Sequence, residues 1–104
     1  MAVKIFIEKT AGVTGFNPAT VSVWAGDQIS WTNNTDVAHQ PGVLNLDGSF
    51  ASFQATPIMP GQPSDVFSPQ AQLDGDGNQQ PYPINYECQI HPSEKGIIQV
   101  QVTP

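Results

Sequence analysis

Backbone punctuation is the strongest constraint on this chain. Ten prolines and nine glycines are spread over 104 residues, and no segment sustains the 3.6-residue apolar period of an amphipathic helix. A proline removes a backbone donor and clashes inside a helix, and a glycine weakens one. Between these breaks lie short runs of apolar and polar residues in alternation, the pattern of half-buried strands. About seven or eight such runs, with turn signals roughly every 8–12 residues, predict an all-β sandwich.

Taken in order, residues 2–9 set Val3, Ile5 and Ile7 against Lys4, Phe6 and Glu8. Thr10 to Gly15 reads as a turn-rich connection, and Phe16-Asn17-Pro18 opens the next segment. Val21 and Val23 share a face of the strand from Thr20 to Trp24, and Ala25-Gly26-Asp27-Gln28 supplies a tight turn. Ile29 and Trp31 share a face of a strand ending at Asn33-Asn34. Residues 34–48 read as a loop, Ser49–Thr56 as a short or bent strand, and Asp65–Ser68 as a short strand around Val66 and Phe67. Residues 69–81 form a polar insertion. Tyr82, Ile84, Tyr86 and Cys88 have one parity and point to one side. A final strand alternates Ile98, Val100 and Val102 with Gln99, Gln101 and Thr103. No linker, repeat or second domain is visible, so residues 1–104 read as a single domain.

Several classes fall away. Three Lys+Arg against nine Asp+Glu leave a formal charge of −6, which opposes nucleic acid or an anionic membrane surface as partner. No apolar run approaches the ~20 residues of a membrane span. The opening residues resemble a strand rather than a secretory signal. The chain is therefore expected to be cytosolic or a mature form with an added Met1. Asp74-Gly75-Asp76-Gly77-Asn78 resembles the start of a calcium loop, but Gln79 and Asn85 stand where that loop needs glycine and glutamate, so a plain turn is expected. Trp24 and Trp31 are expected in the core or on a sheet face rather than as an electron relay. No Cys-His nucleophile pair with an orienting third group is marked, so the chain does not read as an enzyme.

Cys88 is the only cysteine and cannot form an intrachain disulfide. His91 follows three residues later, and the other histidine, His39, lies far upstream. One thiolate and two imidazoles suit copper, and in a trigonal arrangement they suit copper that transfers electrons. Zinc is the alternative metal for Cys88, His39 and His91.

The order of these segments resembles the cupredoxins, the plastocyanin- and amicyanin-like blue copper proteins. Ile29-Ser-Trp31-Thr-Asn33-Asn34 leading to His39 is similar to their strand end and first copper histidine. Phe16-Asn17-Pro18 with Val21-Ser-Val23-Trp24-Ala-Gly26-Asp27 is similar to their second-strand signature. Tyr86-Glu87-Cys88-Gln-Ile-His91-Pro92 resembles the ligand loop, and Gly96-Ile97-Ile98-Gln-Val100 the closing strand. The likeness covers most of the chain outside residues 40–80. It implies a cupredoxin-like Greek-key β-sandwich holding one type 1-like copper. Two positions depart from the pattern. Glu94 stands where the family usually has its axial Met. Gln40 stands where an Asn often helps hold the thiolate.

The resemblance further implies single-electron transfer between protein partners, an extracytoplasmic (periplasmic) location, and a redox partner with a basic docking surface. His39 and Cys88 would be ligands, and His91 the ligand whose ring edge reaches the surface, near Pro41, Gly42, Ile90 and Pro92. Glu94, if it binds, would favour Cu(II) and lower the reduction potential, a carboxylate being harder than a thioether. Two alternatives remain: copper storage, delivery or sensing, and a red-copper-like site open to a small molecule.

Overall fold

The computed structural model describes residues 2–102. Met1 and the expected alternation at Thr103 lie outside them. The strands are β1 (Ala2–Thr10), β2 (Val13–Asn17), β3 (Thr20–Trp24), β4 (Gln28–Asn33), β5 (Pro41–Leu44) and β6 (Phe50–Ser52). They continue with β7 (Gln72–Leu73), β8 (Gln79–Gln80), β9 (Tyr82–Cys88) and β10 (Lys95–Gln101). Eight strands make two sheets, ordered β2-β1-β4 and β3-β10-β9-β5-β6, while β7 and β8 form a separate hairpin. The expected strand number holds for the sandwich itself.

The alternation read from the sequence faces the core. Ile5, Ile7, Ile29 and Trp31 from the first sheet are fully buried, against Val21, Val23, Tyr86, Cys88, Ile98 and Val100 from the second. Removing an isoleucine side chain from water contributes about 1.5–3 kcal/mol. Trp31 stacks on Phe53, with ring centroids 4.8 Å apart, and meets the edge of Tyr86 at 5.5 Å. Its indole nitrogen donates to the Tyr86 hydroxyl at 3.3 Å. Trp31 is thus a core residue, and Trp24 is 48% exposed on the other side of its strand. β1 pairs β4 in parallel. The chain between them must therefore cross over, through β3 in the opposite sheet, before the Gly26 turn returns it.

Four expectations need correction. The connection at Thr10–Gly15 narrows to Ala11-Gly12, both at positive φ, and β2 starts at Val13. Gly15 weakens the alternation there, but pairing with β1 supplies the strand. Inside the expected loop 34–48, β5 forms because Pro41 and Gly42 pair with Cys88 and Glu87 of β9. A Cβ on Gly42 would lie 2.4 Å from the Ala51 carbonyl oxygen, so only glycine lets β6 approach this closely. The expected strand Asp65–Ser68 shrinks to one bridge, Phe67 to Ile29, with Val66 exposed. Pro63 and Pro69 lack the amides a longer ladder needs. The final strand ends at Gln101, one residue before the 43%-exposed Val102.

In the polar insertion, β7 and β8 flank a turn that closes on itself. Asp74 Oδ1 accepts the amides of Asp76 at 2.9 Å and Asn78 at 3.0 Å.

Candidate metal centre

Backbone pairing brings the distant ligand candidates together. Pro41 sits opposite Cys88 in the β5–β9 ladder, so His39, two residues earlier, arrives beside the thiol. The Gln89 amide donates to the Gln40 carbonyl at 2.9 Å, which fastens the two segments just beyond. A backbone bridge to Ile58 pins His39 from the other side, with N···O distances of 3.1 and 2.7 Å. The loop from Cys88 to Glu94 is closed by its own backbone. The Cys88 amide donates to the Glu94 carbonyl at 3.0 Å, and the Glu94 amide to the His91 carbonyl at 2.9 Å.

The side chains of His39, Cys88, His91 and Glu94 therefore converge, with one donor atom from each, all within 4.8 Å of one another. Cys88 Sγ is 3.8 Å from His39 Nδ1 and 3.7 Å from His91 Nδ1. Metal–sulfur and metal–nitrogen bonds of ~2.3 Å and ~2.0 Å, meeting at tetrahedral to trigonal angles, separate S from N by roughly 3.5–3.8 Å. Both separations thus suit one shared ion. Glu94 Oε1 lies 2.9 Å from His39 Nδ1 and 3.6 Å from His91 Nδ1. Even so, this buried oxygen has no hydrogen-bond partner among the described residues. Oε1 and Nδ1 are near each other without a hydrogen bond between them, and the other two donor atoms lie within 4.8 Å of both. Buried polar atoms are rarely left so, and an ion shared by the four donors would satisfy this one.

The surroundings prepare the set. His39 and Cys88 are fully buried, whereas the His91 side chain is 35% exposed. Burial holds the His39 pKa below its ordinary value; the Glu94 carboxylate opposes this and His91 adds to it. A neutral imidazole is the form that ligates. The thiol receives one backbone hydrogen bond, from the Gln40 amide at 3.3 Å. The Gln40 side chain turns away and donates to the Gln54 carbonyl at 3.3 Å. The departure from Asn at this position therefore leaves a donor on the sulfur, supplied by the main chain. Pro41 and Gly42, expected at the surface beside His91, are buried between β6 and β9, while Ile90 and Pro92 are exposed.

Sequence reasoning missed the support of His39. Thr35 Oγ1 lies 2.8 Å from His39 Nε2 and 2.7 Å from Asn33 Oδ1. The fully buried Asn33 donates from Nδ2 to the Val37 and Ile58 carbonyls at 2.8 and 2.9 Å. The available signal was an Asn at a strand end with a Thr two residues on, a side-chain-bonded turn pattern.

The fold is a cupredoxin-like sandwich, and the four-residue donor set fits a single type 1-like copper. Among solved structures, the chain is similar to a purple cupredoxin from Nitrosopumilus maritimus, with a TM-score of 0.72 and 19% identity over 95% of this chain and 99% of that one. It is similar to amicyanin from Paracoccus versutus, with a TM-score of 0.69 and 20% identity over 96% of this chain and 81% of that one. An amicyanin variant solved with Cu(I) gives a TM-score of 0.67 and 17% identity, over 96% and 82% of the two chains. No family model and no curated protein matches the chain. Among the described residues, no helix is long and apolar enough to cross a membrane.

Proposed function

We propose that this chain is a single-domain copper protein that passes single electrons between protein partners. His39 Nδ1, Cys88 Sγ and His91 Nδ1 would hold the ion, with Glu94 Oε1 as the fourth donor. The observation that carries the reading is the buried Glu94 Oε1 without a hydrogen-bond partner, within 4.8 Å of one thiol and two imidazoles. Copper held by a thiolate and two imidazoles cycles between Cu(I) and Cu(II). The chain's own residues do the rest. Two backbone ladders hold Cys88 and His39 where they are, so little reorganisation accompanies a change of charge. The Gln40 amide stabilises negative charge on the sulfur. The part-exposed His91, flanked by exposed Ile90 and Pro92, gives an electron its shortest way to a partner.

The net charge of −6 supports a partner with a basic docking face. The family resemblance supports an extracytoplasmic location and argues against an enzymatic role. Glu94 favours one competing reading, copper storage or delivery, because a hard carboxylate stabilises Cu(II) and opposes cycling.

The test is the visible and paramagnetic-resonance spectrum of the Cu(II)-loaded protein, alone and as Glu94→Met. A sulfur-to-copper charge-transfer band that shifts in the variant is expected; absence of the band would sink the copper reading. An unchanged spectrum in the variant would remove Glu94 from the coordination sphere. Voltammetry separates carrier from store: a reversible couple supports the carrier, an irreversible wave the store.

A further inference from the structure

We infer that Thr35 is a positioning residue whose hydroxyl, held by Asn33, keeps the proton of His39 on Nε2 and so presents Nδ1 to the metal. The inference deepens the copper reading and rests on it for its metal-binding consequence, but not for the proton's position.

The argument follows the hydrogen-bond directions. Asn33 Nδ2 donates to two carbonyls, Val37 at 2.8 Å and Ile58 at 2.9 Å, and its Oδ1 accepts the Thr35 amide at 2.9 Å. A flipped amide would set its oxygen against two carbonyl oxygens, so its orientation is determined. Oδ1 can then only accept. It lies 2.7 Å from Thr35 Oγ1, the shortest contact that hydroxyl makes. The single hydroxyl proton goes there or to the Val37 carbonyl at 3.0 Å, and either way the lone pairs of Oγ1 remain to accept from His39 Nε2 at 2.8 Å. The alternative tautomer puts the proton on Nδ1. Its neighbours are the Cys88 sulfur at 3.8 Å, a weak acceptor, and Glu94 Oε1, which lies 2.9 Å away but makes no hydrogen bond with the ring. One well-placed N–H···O bond outweighs that arrangement.

The relay also ties the ligand to the scaffold. Asn33 ends β4, and its second carbonyl partner, Ile58, is the residue that forms the backbone bridge with His39. His39 is thus held through both main chain and ring before any ion arrives. Hydrogen-bonded partners of ligating histidines usually matter for affinity by about 10–100-fold.

Nitrogen-15 NMR of the metal-free protein, at a pH where both rings are neutral, reads the tautomer directly, with His91 as internal reference. The wild type is expected to show His39 as the Nε2–H form, Thr35→Val to show a mixture, and Thr35→Ser to restore the first pattern. Chelator competition should show copper affinity about 10–100-fold weaker in Thr35→Val and recovered in Thr35→Ser. A wild-type His39 protonated on Nδ1 would overturn the inference, and so would a Thr35→Val protein with unchanged tautomer and affinity. Should Thr35→Val not fold, the wild-type spectrum decides alone. A wild type that takes up no copper defeats the proposed function, while the NMR result still settles what Thr35 does to the ring.

Discussion

Replacing Gly96 with alanine should damage the fold directly beneath the metal centre. Gly96 lies opposite Tyr86 in the β9–β10 ladder, and the tyrosine ring covers it. A Cβ at residue 96 would stand 2.3 Å from Tyr86 Cζ and 2.4 Å from its hydroxyl oxygen. Carbon–carbon contacts settle at about 3.5–4.0 Å, so the ring must withdraw by about 1.2–1.7 Å. It has nowhere to go. Tyr86 is 2% exposed, with Phe16, Trp31 and Phe53 rings centred 4.8, 5.5 and 5.7 Å away. Overpacking of this kind costs about 1–3 kcal/mol, and breaking the Trp31–Tyr86 hydrogen bond adds about 1 kcal/mol. A total of about 2–4 kcal/mol corresponds to a fall in Tm of roughly 10–25 °C for a domain of this size. Urea unfolding of the metal-free protein measures it. The double variant with Tyr86→Val should recover most of the Gly96→Ala penalty, because the clash is with the ring. A penalty below about 0.5 kcal/mol, or one of equal size with and without the Tyr86 ring, would refute the reasoning.

Three further outcomes are expected. If copper binds the folded site and not the unfolded chain, free ion at a hundred times the dissociation constant should raise stability by about 2.7 kcal/mol, and Cys88→Ser should abolish most of that gain; thermal melts with and without copper check it. Burial depresses the His39 pKa, so below about 6.5, its unfolded value, the unfolded chain holds more protons. The metal-free protein should therefore lose stability as pH falls through that value and level off once the folded-state pKa is passed; urea titrations across pH, repeated with His39→Gln, isolate this contribution. Gly42→Ala should separate β5 from β6, since its Cβ would meet the Ala51 carbonyl oxygen at 2.4 Å; faster amide exchange at Val43, relative to Ile98, would show it, and unchanged exchange would count against that account.

Local rules made much of the fold legible. Alternation at Ile5, Ile7, Val21, Val23, Ile29, Trp31, Ile98 and Val100 put the right side chains inside, because a strand sends neighbours to opposite faces whatever it pairs with. Local chemistry also sufficed for the turn at Gly26, whose φ is 88°. The same rules failed for β5 and for residues 65–68. A Pro-Gly pair that reads as a turn became a strand because β9 lay beside it, and a run that reads as a strand kept one bridge between two prolines. Pairing partners distant in sequence leave no local trace.

The site divides the same way. Residue type alone named His39, Cys88 and His91 as a donor set, since few side chains bind a soft ion and this chain has one cysteine and two histidines; Glu94 came from its place in the family pattern. Whether four such groups can share an ion is a question of distance. That was decided by the Pro41–Cys88 pairing and the self-closed loop to Glu94, which together bring atoms 49 residues apart along the chain to within 3.8 Å. The Thr35–Asn33 relay and the Gln40 amide on the sulfur were decided there as well. A hydrogen bond depends on where an atom points, and only the folded backbone determines that direction.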